Sequence, residues 1–343
     1  MPTFALRAAL TALAAAPLLC ICEVALAPPN REPTIAEDQR LLLYVKPGQL
    51  VDIGGRKINL HCSGAGAPTV ILMAGSASWS PIWYKVQPAI AQNTRVCGFD
   101  RAGYGFSDPG PRPQILSDVV DDLHAALKAG AMSGPYVLVG HSLGGVEARL
   151  YAQRWPKEVA GMVLVDTSPA GEGLIDEAQP GFDDVSGWDH LAADLLHCAL
   201  LAANGGLDPS TPDCKPELPH DTPAAFRKIF PQFFTAYYFA DKVSLISCLY
   251  THRYDSVDHL RLGAMPLVVL STEHTWDGTA SAWFTQSYAK LWIGMHEALA
   301  HLSSRGVHRI IEGTGHEIQL DKPQAVIDAV DEVLGHLHAE AKS

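Results

Sequence analysis

Tyr136-Val137-Leu138-Val139-Gly140-His141-Ser142-Leu143-Gly144-Gly145 decides how this chain folds. An unbroken apolar run ends in Gly-x-Ser-x-Gly, and a segment with helical spacing follows over 146–155 until Pro156 stops it. A strand that must become a helix within a few residues leaves its turn residue on strained backbone, with the side chain pushed clear of the sheet. Ser142 holds that position. Gly140 and Gly144 are small where the strand and helix backbones must come close. The helix start presents free N–H groups and the positive end of its dipole, which suits a place where negative charge develops. The pentapeptide alone is a weak signal, and its strand and helix flanks make it a strong one.

Outward from this turn the chain alternates. Apolar runs predict strands over 69–73, 94–99, 136–139, 159–165, 267–270 and 308–311. A hairpin is predicted from 49–53 and 57–62 around Gly54-Gly55, and helices over 117–129 and 323–334. Strands alternating with helices predict an α/β fold with a mostly parallel sheet covered on both faces. Ligands in such sheets bind beyond the carboxyl ends of the strands. Between Asp166 and Met265 the alternation stops, and aromatics such as Phe230, Phe233, Phe234, Tyr238 and Phe239 accumulate. That is too much apolar chain for a loop and predicts a helical cap over 170–263. Its aromatics are expected to divide between the cap's own core and an apolar pocket. The sheet domain then comprises 49–169 and 264–338, preceded by a linker over 28–48.

With 48% apolar and 18% charged residues in 343, the chain reads as an ordered globular protein. A formal net charge of −12 with no Lys/Arg cluster excludes a nucleic-acid partner. At the N-terminus, Arg7 precedes an apolar run over 8–22 that is short for a membrane span, which needs about 20 residues. Residues 1–27 therefore read as a signal peptide, with Ala25-Leu26-Ala27 as its cleavage site. Pro28 disfavours cleavage there, so an uncleaved N-terminal membrane anchor is the other reading. Both predict export into an oxidising compartment. Beyond the leader lie Cys62, Cys97, Cys198, Cys214 and Cys248, an odd set without metal-ligand spacing. His296-Glu297 and His301 suggest a zinc motif, but a spacing of five sets the histidines about 140° apart on a helix. They are expected on a solvated helix face. No metal and no cofactor are expected.

A serine hydroxyl is a poor nucleophile until a base takes its proton. His316, in Gly313-Thr314-Gly315-His316-Glu317 just past the last strand, is placed for that role. A carboxylate must then hold the imidazole in the right tautomer. Two strand ends offer one: Asp166 after 159–165, and Glu273 after 267–270. Two backbone donors are needed for the developing oxyanion, and the Leu143 and Ser76 amides are the candidates.

Together, Ala74-Gly75-Ser76, Phe99-Asp100-Arg101-Ala102-Gly103-Tyr104-Gly105-Phe106-Ser107, the Ser142 turn, Val163-Leu164-Val165-Asp166 and Gly315-His316 resemble the α/β-hydrolase fold over about 50–337. The resemblance implies an eight-stranded, mostly parallel sheet flanked by helices, with the cap inserted after the sixth strand. Two departures stand out. Ala74 replaces the histidine usual before the oxyanion glycine, and the strand over 267–270 lacks the Gly-x-x-Asp that commonly supplies the acid. Some members take their acid from the end of the sixth strand, so the resemblance favours Asp166, with Glu273 as the alternative. The family's strand order sets Cys62 beside Cys97, where a disulfide is expected, and Cys198 and Cys214 are expected to close a loop in the cap.

The activity so implied is that of an exported, carboxylesterase-like serine hydrolase. It would cleave small to medium apolar esters through Ser142, His316 and Asp166, with charged substrates reacting poorly. An aminopeptidase or amidase of the same fold is the alternative, with Asp183, Asp184 and Asp189 gripping an amine. A non-catalytic small-ligand binding protein is the third reading. The expected partner is a small-molecule ester, with membrane attachment through the leader as a further reading. The sequence sets no oligomeric state.

Overall fold

β5 (Tyr136–His141) and β3 (Val70–Met73) form the middle of an eight-stranded sheet in the computed structural model of the chain. The structure describes residues 38–169, 188–205, 207, 214, 218, 221–250, 260–273 and 282–341. The sheet is completed by β1 (Gln49–Asp52), β2 (Lys57–Ser63), β4 (Val96–Phe99), β6 (Val159–Val165), β7 (Leu267–Thr272) and β8 (Gly306–Ile311), in the order β1-β2-β4-β3-β5-β6-β7-β8. β1 and β2 pair antiparallel, β2 joins β4 antiparallel, and the other neighbours are parallel.

Successive side chains of a strand point to opposite faces, and both faces here are covered. Val137 and Val139 of β5, with Val163 and Val165 of β6, pack on one side against α1 (Gln87–Ile90) and α9 (Pro323–Glu340). Tyr136, Leu138, Met162 and Leu164 face α2 (Leu116–Ala129) and α3 (Leu143–Arg154) on the other. The helices α4 (Trp188–Ala203), α5 (Ala224–Ile229) and α6 (Ala236–Tyr250) lie between β6 and β7 in sequence. α7 (Ala282–Ala300) follows β7, and the one-turn α8 (Ile318–Asp321) follows the loop after β8.

Several aromatics of the segment between β6 and β7 are buried against the sheet domain. Trp79, after β3, has ring contacts with Phe230, Phe233, Phe234 and Tyr238, and Phe233 and Phe234 are buried in the main core. Cys62 and Cys97 sit directly opposite in the β2–β4 ladder and are bonded; Cys198 of α4 is bonded to Cys214. Cys248 is a buried free thiol.

The segment expected as a linker differs from expectation where it is described. Gln39–Tyr44 forms a 3-10 helix whose Leu41 and Tyr44, three residues apart, face Tyr84 and Phe226. The Tyr44 hydroxyl donates to Gln87 Oε1 at 2.8 Å. The leader and residues 28–37 lie outside the described residues, as do Asp183, Asp184 and the side chain of Asp189.

One cap residue carries an unresolved charge. Both carboxylate oxygens of Asp241 on α6 are buried without a hydrogen bond. Arg112 is 3.8 Å away and stacks on Tyr237. Burial pushes the Asp241 pKa up to about 6, the nearby Arg112 opposing only in part. A carboxylate raised in this way is fully compatible with the fold below its unfolded value of about 3.9 and costs stability as pH rises through the folded value. Asp241→Asn is therefore expected to raise Tm by a few degrees at pH 8, with the gain shrinking towards pH 4. Thermal melts across that range check it.

Candidate active site

The turn after β5 has the predicted geometry. Ser142 sits at φ 51° and ψ −122°, left-handed backbone that a non-glycine residue holds only when its surroundings impose it. Its surroundings are close backbone. A Cβ on Gly144 would meet the carbonyls of Met73 and Ala74, and one on Gly140 would meet Gly144 and Gly145. The Ser142 amide donates to Val165 O at 3.1 Å, and its carbonyl accepts from Thr167 Oγ1 at 2.8 Å. The serine side chain makes no capping bond.

Asp166 follows β6 and His316 lies on the loop after β8, the two strands that flank β7. The Asp166 side chain is fully buried. One carboxylate oxygen accepts His316 Nδ1–H at 2.6 Å. The other accepts Thr272 N–H at 3.0 Å and Trp292 Nε1–H at 2.8 Å. Burial favours protonation of this carboxyl, but the hydrogen bond and charge of His316, with His296 and Trp292, hold its pKa below the usual range. The carboxylate accepts only, so His316 Nδ1 is the donor. Glu273 is engaged elsewhere on the same loop, accepting the Gly313 N–H at 3.0 Å.

Two other histidines adjoin the site. His141 is buried, with Nε2 3.0 Å from the His316 carbonyl and 3.3 Å from Glu317. Burial pushes its pKa down to about 4, so it is neutral at physiological pH. His296 corrects an expectation. It is buried rather than solvated, because α7 lays this face on the sheet and leaves His301 outside beside Glu297. Its Nδ1 donates to Trp292 O at 2.8 Å, and burial pushes its pKa down to about 4.

The loop after β3 carries Ser76 and is gripped from behind by side chains. Arg101 donates to the carbonyls of Ala74, Gly75 and Ser78, the Tyr104 hydroxyl to Ser76 O at 3.0 Å, and the Tyr238 hydroxyl to Ala77 O at 3.0 Å. With these carbonyls held, the loop cannot turn over. Neither the Ser76 nor the Leu143 amide donates to an acceptor among the described residues. A Cβ on Gly75 would lie 3.3 Å from Ser142 Cβ, so this loop and the serine turn are in contact.

Arg101 forms a buried, bidentate pair with Glu147 of α3 at 2.7 and 2.9 Å. Sequence reasoning missed it. Arg101 was read only as part of a loop motif, and a glutamate one turn into the helix after Ser142 was the available signal. Removing one partner of such a pair leaves the other charge buried alone. Glu147→Gln is expected to lower the unfolding free energy by about 3 kcal/mol or more, as read by urea denaturation.

A cavity of about 520 Å³ lies between the cap and the segment over 77–84. Trp79, Phe226, Phe230, Tyr238 and Phe239 line it, and it reaches Ala77 and Ser78 of the gripped loop and Glu317 beside His316.

Comparisons agree with this architecture. A family model described as the alpha/beta hydrolase fold matches residues 68–197. The uncharacterized protein YbdG of Bacillus subtilis is 31% identical over 121 residues, 35% of this chain and 37% of that protein. The 2-hydroxy-6-oxo-2,4-heptadienoate hydrolase of Pseudomonas putida is 32% identical over 149 residues, 41% of this chain and 51% of that enzyme. The chain thus spans about a third to a half of the length of these curated relatives. Among solved structures, a thermophilic esterase from Thermogutta terrifontis superposes with TM-score 0.57 at 19% identity, covering 85% of this chain and 98% of that one. That likeness shows the fold. With the strand order, the serine turn after β5 and the family match over residues 68–197 in agreement, the chain has the α/β-hydrolase fold.

Proposed function

We propose that this protein is an exported serine hydrolase cleaving carboxylic esters with apolar groups. The carrying observation is the buried Asp166 carboxylate at 2.6 Å from His316 Nδ1, which leaves Nε2 as the basic nitrogen of that ring. Ser142 Oγ attacks the ester carbonyl carbon and gives its proton to His316 Nε2. The Ser76 and Leu143 amides hold the oxyanion. Collapse of the intermediate breaks the ester C–O bond, and the leaving alkoxide takes the proton from His316. Water then attacks the acyl-enzyme, giving one proton to His316. Release of the carboxylic acid returns that proton to Ser142. His141 and His296 are weak bases by comparison with an ordinary imidazole, since burial has lowered the pKa of both to about 4.

The two disulfides support export, because such bonds persist in oxidising compartments. The apolar cavity supports the substrate class, at about 0.8 kcal/mol per methylene buried, or roughly fourfold in rate. kcat/KM is therefore expected to rise from p-nitrophenyl acetate to the butyrate and hexanoate, and to exceed that for aminoacyl anilides. A preference for acetate, or for the anilides, would sink the apolar-ester reading.

A further inference from the structure

Among the described residues, the cavity under the cap holds one cation, and it has no counterpart there. Lys242 of α6 lines it, half-buried, among apolar and aromatic neighbours, and makes no hydrogen bond or ion pair among the described residues. Burial lowers its pKa below that of an ordinary lysine. The adjacent Asp241 does not serve as partner, since its carboxylate lies against Gly103 and Arg112. Glu317, the other charged residue on the described wall, lies at the His316 end and is engaged with His141 and the Gln319 amide. Thr222, also on the wall, has a buried hydroxyl with no partner, free to turn towards a guest's oxygen without breaking a bond.

Placing an ammonium group in an apolar wall is costly unless something with the opposite charge joins it. An apolar guest would bury Lys242 further and add to that cost. A guest whose apolar body ends in a carboxylate would remove it. We propose that the cavity selects esters with an apolar chain ending in a carboxylate, with Lys242 pairing with that carboxylate and the Thr222 hydroxyl as a second donor. This rests on the ester-hydrolase reading for the reacting end and adds the recognition of the far end. It reverses the sequence-based expectation that charged substrates react poorly. The net charge of −12 repels anions at long range, but salt screens that beyond about 8 Å, whereas a cation in the cavity wall acts at contact.

The test compares mono-p-nitrophenyl adipate with p-nitrophenyl hexanoate, which match in chain length and differ in the terminal carboxylate. The wild-type protein is expected to favour the adipate monoester in kcat/KM by about tenfold or more. In Lys242→Met that ratio should fall by about 100-fold, and in Lys242→Arg it should be largely kept. Hexanoate favoured by the wild type, or a ratio unmoved by Lys242→Met, would overturn the inference and leave the esterase reading standing. Hydrolysis of neither ester would instead count against that reading. Calorimetric titration with octanoate and 1-octanol then tests the cavity without catalysis. Octanoate binding more tightly than 1-octanol, with that advantage lost in Lys242→Met, supports the inference; equal binding overturns it.

Discussion

Ser142→Ala is expected to lower kcat on p-nitrophenyl esters by about 10⁶-fold while leaving the melting temperature nearly unchanged. The two halves of this expectation have separate causes. The nucleophile and its base act as one unit, so removing the hydroxyl abolishes the covalent route entirely. Stability should hold because the turn is fixed by other groups: the Ser142 amide and carbonyl bonds to Val165 and Thr167, and the tight approach of Gly140 and Gly144 to neighbouring backbone. The hydroxyl takes no part in capping α3. An alanine variant with wild-type turnover would end the serine mechanism.

Asp166→Asn is expected to cost about 10⁴ in kcat, against less than about threefold for Glu273→Gln. An amide at position 166 places an NH₂ group among three donors, from His316, Thr272 and Trp292, so at least one of them loses its acceptor. The loss to His316 frees the ring to take the wrong tautomer and removes the charge that stabilises the imidazolium. Glu273 accepts the loop amide of Gly313, so its removal should shift the loop slightly. Urea denaturation of both variants separates this from misfolding. The reverse ranking of the two rates would move the acid's role to Glu273.

Most of the sheet was legible because its signal is local. A continuous apolar run of four to seven residues marks a strand buried on both faces, as the strands of a parallel sheet are, and β3, β5 and β6 each show one. The serine turn was legible for the same reason, since strand, Gly-x-Ser-x-Gly and helix are contiguous. The acid was less so. β6 and β7 are neighbours, so both Asp166 and Glu273 come near the loop of His316, and the choice depends on which carboxylate points inward. Trp292, which helps fix Asp166, lies 126 residues away on a helix with no motif. Arg101 and Glu147 are 46 residues apart and meet only because the loop after β4 packs on α3. His296 was misplaced because helical spacing tells which residues share a face, but not which face the sheet covers. The 3-10 helix of Gln39–Tyr44 was hidden by the polar, proline-containing stretch before it.

Labelling with a fluorophosphonate, followed by peptide mapping, tests the central claim most directly, because the reagent modifies only a serine whose proton is being taken by a base. One adduct per chain, on the peptide carrying Ser142 and absent from Ser142→Ala, is the predicted result. An unlabelled Ser142 in folded protein, or an adduct on another residue, would contradict the account.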